Sequence, residues 1–198
     1  QMEHWSEDGA CRQLLADTPG LADVQIRERA AAEIQTALSL RGCYRLVFVV
    51  TLESGRVRSD DAMTIATVLN AIRLPVPFGI VINKCEQQCI EDYNANATVR
   101  TQIVRTLLSR VSGSLKPQVV ALFPRDAELE KRTDAIGSQF RSELIAFLHN
   151  LPFSESVGEA DVAKLQIENY ETLSQRFAEQ MERLQNEAEM SALRHEQL

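Results

Sequence analysis

Apolar positions along this 198-residue chain follow two rhythms. Short, nearly continuous apolar runs stop on turn residues, and longer stretches between them return an apolar residue every three or four positions. After a polar start, where Trp5, Asp8 and Gly9 read as a turn or the tail of a strand, a run from about Cys11 to Ala16 predicts a strand. It ends abruptly on Asp17-Thr18-Pro19-Gly20. Asp23 is placed to cap the next helix, in which Ile26, Ala30, Ile34, Ala37 and Leu38 share a face, and Gly42 stops it. Tyr44 to Thr51 is β-branched and almost continuously apolar after Arg45, the pattern of a strand buried on both faces of a parallel sheet.

The same rhythms continue. A polar loop with Gly55 and Arg56 leads to Ser59-Asp60-Asp61, a helix cap with acids in the first turn, where the helix dipole favours them. Ala62, Ile65, Ala66, Leu69 and Ile72 mark the helix face, and Pro75 and Pro77 end it. Phe78 to Ile82 predicts a second buried strand running directly into Asn83-Lys84-Cys85-Glu86. A helix is expected from Asp92 to Val111, a short strand from Val119 to Phe123, and a last helix carrying Ile136, Phe140, Leu144 and Leu148. Strand and helix alternate, so the expected fold is α/β, a doubly wound and mainly parallel sheet over residues 1–151 with ligands at the carboxyl ends of its strands.

Residues 152–198 read differently. From Glu159 onward there is no Gly or Pro, and Ala163, Ile167, Tyr170, Ser174, Phe177, Met181, Leu184, Ala188 and Ser191 follow at steps of four and three. A 3.5-residue repeat is the seam of a coiled coil, and the alternative is a long helix folded back on its own domain.

Composition narrows the function classes. A net charge of −7 with scattered basic residues argues against nucleic acid or an anionic membrane as the main partner. No apolar run approaches the roughly 20 residues that span a bilayer, which makes a soluble cytoplasmic protein the expectation. Cys11, Cys43, Cys85 and Cys89 lack zinc-site spacing and read as thiols of a reducing compartment. Gln1 in place of Met suggests a start inside a longer gene product or after processing.

Two acidic motifs thus stand directly after two strands, Asp17-Thr18-Pro19-Gly20 and Asn83-Lys84-Cys85-Glu86, separated by helix, strand and helix. Each alone is a common turn; their order and placement point to a nucleotide phosphate sensor. With Gly55-Arg56-Val57-Arg58-Ser59-Asp60-Asp61 between them, the stretch from Trp5 to Leu148 resembles the immunity-associated GTPases, the GIMAP group with its plant and protist relatives, within the P-loop GTPase class.

The resemblance implies a GTP- or GDP-binding G domain. Asp17 would reach Mg²⁺ through a water, and the backbone N–H of Gly20 would sense the γ-phosphate, with Thr18 and Pro19 shaping the turn. Asn83 would hold the base and its own loop, and the stem of Lys84 would pack along the base. Glu86 stands where the family usually has Asp, the acceptor of the guanine N–H groups. Homo-oligomers through the G domain or the carboxyl-terminal helix are a further implication.

Two departures limit this reading. Leu21 follows the first motif, so a water-orienting side chain is missing there, and hydrolysis is expected to depend on a partner subunit or to be slow. No Gly-x-x-x-x-Gly-Lys-Ser/Thr occurs, which removes the main grip on the β-phosphate and a central strand, exposing the edges of its neighbours. The chain is then either the carboxyl-terminal part of a GTPase switch or a degenerate relative whose missing strand another chain supplies. The polypeptide alone is expected not to bind GTP measurably. A nucleotide-independent interaction module acting through its helical tail is the alternative. An α/β hydrolase is disfavoured, because Gly-x-Ser-x-Gly is absent and His4, His149 and His195 have no catalytic setting.

Overall fold

The computed structural model describes residues 2–5, 13–40, 42–113, 115–125, 138–168, 170–180 and 182–183. Among them are two sheets. The smaller is an antiparallel pair, β1 (Met2–Trp5) with β2 (Gln13–Ala16), in which Met2 faces Ala16 and Trp5 faces Gln13. The larger has four strands in the order β4-β3-β5-β6: β3 (Leu46–Glu53), β4 (Arg56–Val57), β5 (Phe78–Cys85) and β6 (Val119–Pro124). Strands β3, β5 and β6 are parallel, and β4 returns antiparallel on the end of β3. The chain is therefore α/β with a mixed sheet. The β3–β4 connection is a two-residue hairpin, Ser54 and Gly55 at φ 50° and 77°, a left-handed pair that matches strand twist.

Helices α1 (Arg27–Leu38), α2 (Ser59–Ala71), α3 (Gln87–Ala95), α4 (Ala97–Leu107) and α5 (Ser138–Asn150) alternate with the strands. Register assigns the sheet's faces. Phe48 lies opposite Ile80 and Val50 opposite Ile82; these four side chains share one core with Ile34 and Leu38 of α1 and Ile65 and Leu69 of α2. On the other face Val47 lies opposite Gly79 and Val49 opposite Val81. Helix α5 covers that face over β5 and β6: a Cβ on Gly79 would lie 2.5 Å from the Phe147 ring, and Phe140 meets Phe123 edge to face.

Several expectations need correction. The strand expected at Tyr44 to Thr51 is not buried on both faces: Phe48 and Val50 are buried, but Val49 is 64% exposed. The reason is that α5 does not extend over β3. The single helix expected from Asp92 to Val111 is two helices, broken at Asn96. There the side-chain oxygen accepts from Thr98 N–H at 2.9 Å and starts α4 in place of continuing α3. Asp23 accepts from Gln25 N–H at 2.9 Å in a local turn, and α1 begins only at Arg27. Ser59-Asp60-Asp61 form the first turn of α2, whose cap position is Arg58. Cys11 and Ile136 lie outside the described residues.

The tail folds back on the domain. Ser154 N–H donates to Tyr44 O at 2.9 Å, Gly42 and Val157 pair, and Ala163 N–H donates to Ala71 O at 2.7 Å. Residues 170–180 form a further helix, α6. The expected coiled-coil seam turns inward here. Ala163 and Ile167 precede the helix, while Tyr170, Ser174 and Phe177 are buried against the domain that they follow. Arg110 stacks over Phe177 at 5.2 Å and donates to Gln180 at 3.0 Å. Met181, Leu184, Ala188 and Ser191 lie outside the described residues.

Candidate functional site

The carboxyl ends of the parallel strands define the site, because there backbone leaves the sheet and side chains on loops converge. At the end of β5 the strand continues through Asn83 and Lys84, and its pairing with β6 slips between Ile82 and Cys85. Lys84 sits at φ 57°, a left-handed conformation that a Cβ makes costly. The side-chain oxygen of Asn83 accepts from Lys84 N–H at 2.9 Å and holds that turn. Cys85 returns inward, 2% exposed, with its thiol donating to Ile82 O at 3.4 Å. Lys84 and Glu86 are thereby directed outward, both exposed, with Glu86 at the cap position of α3.

The loop is tied to its neighbour. Arg125 N–H, immediately after β6, donates to Cys85 O at 2.8 Å. Sequence reasoning missed Arg125, although its place just beyond a parallel strand's carboxyl end was the available signal. Burial pushes the Cys85 thiol up to about 11, and burial together with Asp92 and Glu86 raises Cys89. Both sulfurs are therefore protonated and poor nucleophiles at neutral pH.

At the end of β3, Thr51 N–H donates to the Asp61 carboxylate at 3.2 Å. Burial raises the pKa of Asp61, and the Thr51 N–H and nearby Arg58 only partly offset it. Asp60, its neighbour, faces the tail: the Ser174 hydroxyl donates to its carboxylate at 2.5 Å, and the Tyr170 hydroxyl donates to its carbonyl at 2.8 Å. The Gly55–Asp61 box therefore joins the site end of β3 to the tail.

The Asp17–Gly20 turn leaves β2, in the other sheet. Asp17, Thr18 and Gly20 are exposed, Pro19 is half-buried, and a Cβ on Gly20 would meet nothing within 4 Å. The open space suits close approach of a ligand to the Gly20 backbone. Leu21, fully buried, anchors the turn in the core that also contains Ile82 and Cys85. Asn83 and Lys84 thus lie in the last residues of β5 and Glu86 directly after it, whereas Asp17, Thr18, Pro19 and Gly20 are carried on a separate element. Among the described residues no three His, Cys, Asp or Glu side chains gather as a metal site. An ion at Asp17 would therefore need oxygens from a bound phosphate and from water.

No helix of the described residues is long and apolar enough to cross a membrane. Comparison with known proteins gives no matching family model, no matching curated protein and no matching solved structure.

Proposed function

We propose that the chain is part of a guanine-nucleotide switch of the immunity-associated GTPase type, a P-loop G domain that lacks its phosphate loop. The observation that carries this reading is the strained turn at the end of β5. Lys84 at φ 57°, stabilised by the Asn83 side chain and backed by the Cys85–Arg125 bond, is the kind of backbone outlier that surrounding structure must enforce. It presents an amide, an alkyl stem and a carboxylate side by side, the set that a purine edge and face require. Asp17 and Gly20 would meet the γ-phosphate end, with Asp17 holding Mg²⁺ through a water. The ion would neutralise phosphate charge, while the chain's own residues bind and orient the nucleotide. Residues to grip the β-phosphate are not found in the sequence, so GTP alone is not expected to bind measurably.

The base loop can be tested without phosphates. Guanosine, added in excess to the isotope-labelled chain, is expected to shift the amide resonances of Asn83 to Glu86 and Arg125, while adenosine leaves them in place. Glu86→Asp is expected to strengthen the guanosine response. Equal responses to the two nucleosides, or none, would reject the assignment.

A second reading has its own support. Among the described residues nothing pairs with the outer edge of β3 along Leu46 to Thr51 apart from the Asp61 carboxylate on Thr51 N–H, and Val49 beside it is bare. An open parallel edge is a place for another strand, so a nucleotide-independent interaction module remains the alternative.

A further inference from the structure

The segment after Gly20 is held at few points. Residues 22–26 are all exposed, with Val24 at 61%, and Leu21 is the buried anchor at their start. The second fixed point is Arg27, the first residue of α1. Its Nε donates to Leu21 O at 2.8 Å and its Nη2 to Ala22 O at 3.3 Å. One guanidinium fork thus takes two consecutive carbonyls of the backbone that leaves the Asp17–Gly20 turn. Lysine could not reproduce this geometry, because its ammonium has neither the plane nor the fixed fork.

Arg27 is itself positioned by the tail. Its guanidinium lies 4.6 Å from the centre of the Tyr170 ring, and that ring is 1% exposed. The Tyr170 hydroxyl donates to Asp60 O at 2.8 Å and accepts from the Thr64 hydroxyl at 2.8 Å, so the ring has one orientation. With the ring buried and Arg27 half-buried, the stack is stronger than a fully exposed one. An unbroken series of contacts therefore runs from α2 through Tyr170 and Arg27 to the carbonyls of Leu21 and Ala22.

We propose that Arg27, stacked on Tyr170, is the positioning residue of the Asp17–Gly20 turn, and that docking of the tail is part of how the turn is held. As a statement about a ligand site this rests on the guanine-nucleotide reading; as a statement about the turn it does not. The coupling is reciprocal: loosening the tail loosens the turn, and displacing the Leu21 and Ala22 carbonyls weakens the seat of Tyr170.

Amide hydrogen exchange of residues 17–26, measured without nucleotide on the full chain, tests it. Exchange is read relative to the Ile80 to Ile82 amides of β5, so that a general loss of stability cancels. Tyr170→Leu removes the stack and Arg27→Lys removes the fork. Each is expected to raise the relative exchange about tenfold, a factor between those of an exposed and a fully desolvated cation–π contact. The double variant is expected to exceed neither, and Tyr170→Phe, which keeps the ring, to stay nearer wild type than Tyr170→Leu. Relative exchange unmoved by Tyr170→Leu, or effects of the two substitutions that simply add, would overturn the proposal. Failure of the guanosine titration would leave this result standing, so the two readings fail separately.

Discussion

Strands β3 and β5 are neighbours of equal length, parallel, and written in similar β-branched runs, yet they occupy different environments. From Phe78 to Ile82 every residue of β5 is buried, with β3 and β6 on its two sides and helices over both faces. Strand β3 buries Phe48 and Val50 toward α1 and α2, but its opposite face carries Val49 at 64% exposure. An apolar run thus reports the capacity for burial on two faces, not its realisation. Realisation depends on what the neighbouring elements reach, and α5 reaches over β5 and β6 only.

The comparison breaks most visibly at the core positions. Ile82→Ala, at a fully buried site, is expected to lose about 2–5 kcal/mol through lost burial and a residual cavity. Val49→Ala on the adjacent strand should lose less than about 0.5 kcal/mol. Denaturant unfolding midpoints of the two variants measure the difference. Similar losses would show that the bare face of β3 is covered in solution.

Next in size is Gly79→Ala. The new methyl would stand 2.5 Å from Phe147 Cζ and 3.3 Å from Leu151 Cδ2, so α5 must shift or the ring must leave its rotamer. Overpacking of this kind costs about 1–3 kcal/mol. Phe147→Leu in the same chain should restore part of the loss, since it removes the atoms in the way. If Gly79→Ala proves neutral by the same unfolding measurement, α5 does not seat on β5 as closely as the geometry has it.

The legible and illegible parts of the fold divide along this line. The alternation of β3, α2, β5, α4, β6 and α5 follows from periodicity, because each element's apolar residues recur at its own repeat. The broken helix at Asn96 was not legible: Ile90, Tyr93, Val99 and Ile103 keep an approximately helical rhythm across the break, and only the competing Asn96 side chain marks it. The tail left two readings open for a similar reason, and the helix folded back on its own domain is the one found. Tyr170, Ser174 and Phe177 have coiled-coil spacing, and spacing alone cannot say whether the face meets another chain or its own domain. In the site, the Asn83–Glu86 stretch was legible as the end of a buried strand, although β5 itself runs on to Cys85. Arg27 was not, because its role depends on Tyr170 more than a hundred residues away.

A smaller effect tests the open edge of β3 by pH. Burial raises the pKa of Asp61, so its charged form is the one that folding disfavours. A group with a raised folded-state pKa contributes stability that is full below its unfolded pKa and lost as pH rises through the folded value. Asp61 is therefore a cost at neutral pH despite its bond to Thr51 N–H. Asp61→Asn keeps an acceptor oxygen for that N–H, and is expected to raise stability slightly at pH 7 and to flatten the pH dependence in the acid range above pH 4. A loss of stability at pH 7 would mean that the charge itself is needed at the end of the strand.

The smallest expected effect is the most discriminating for β3. In a parallel strand the N–H and C=O of one residue point to the same side, and residues two apart share that side. Thr51 N–H is given to Asp61 rather than to β5, so the main-chain groups of Val49 and Val47 face the same open edge. Apolar edges of this kind favour pairing between chains, and a lysine on such an edge opposes it. Val49→Lys is expected to change stability by less than about 0.5 kcal/mol while reducing concentration-dependent association seen by sedimentation. A loss of several kcal/mol would instead be the cost of burying a charge, and would place Val49 under cover. The first result makes the difference between β3 and β5 a property of the molecule in solution; the second makes β3 a strand whose second face is filled by groups that the described residues do not include.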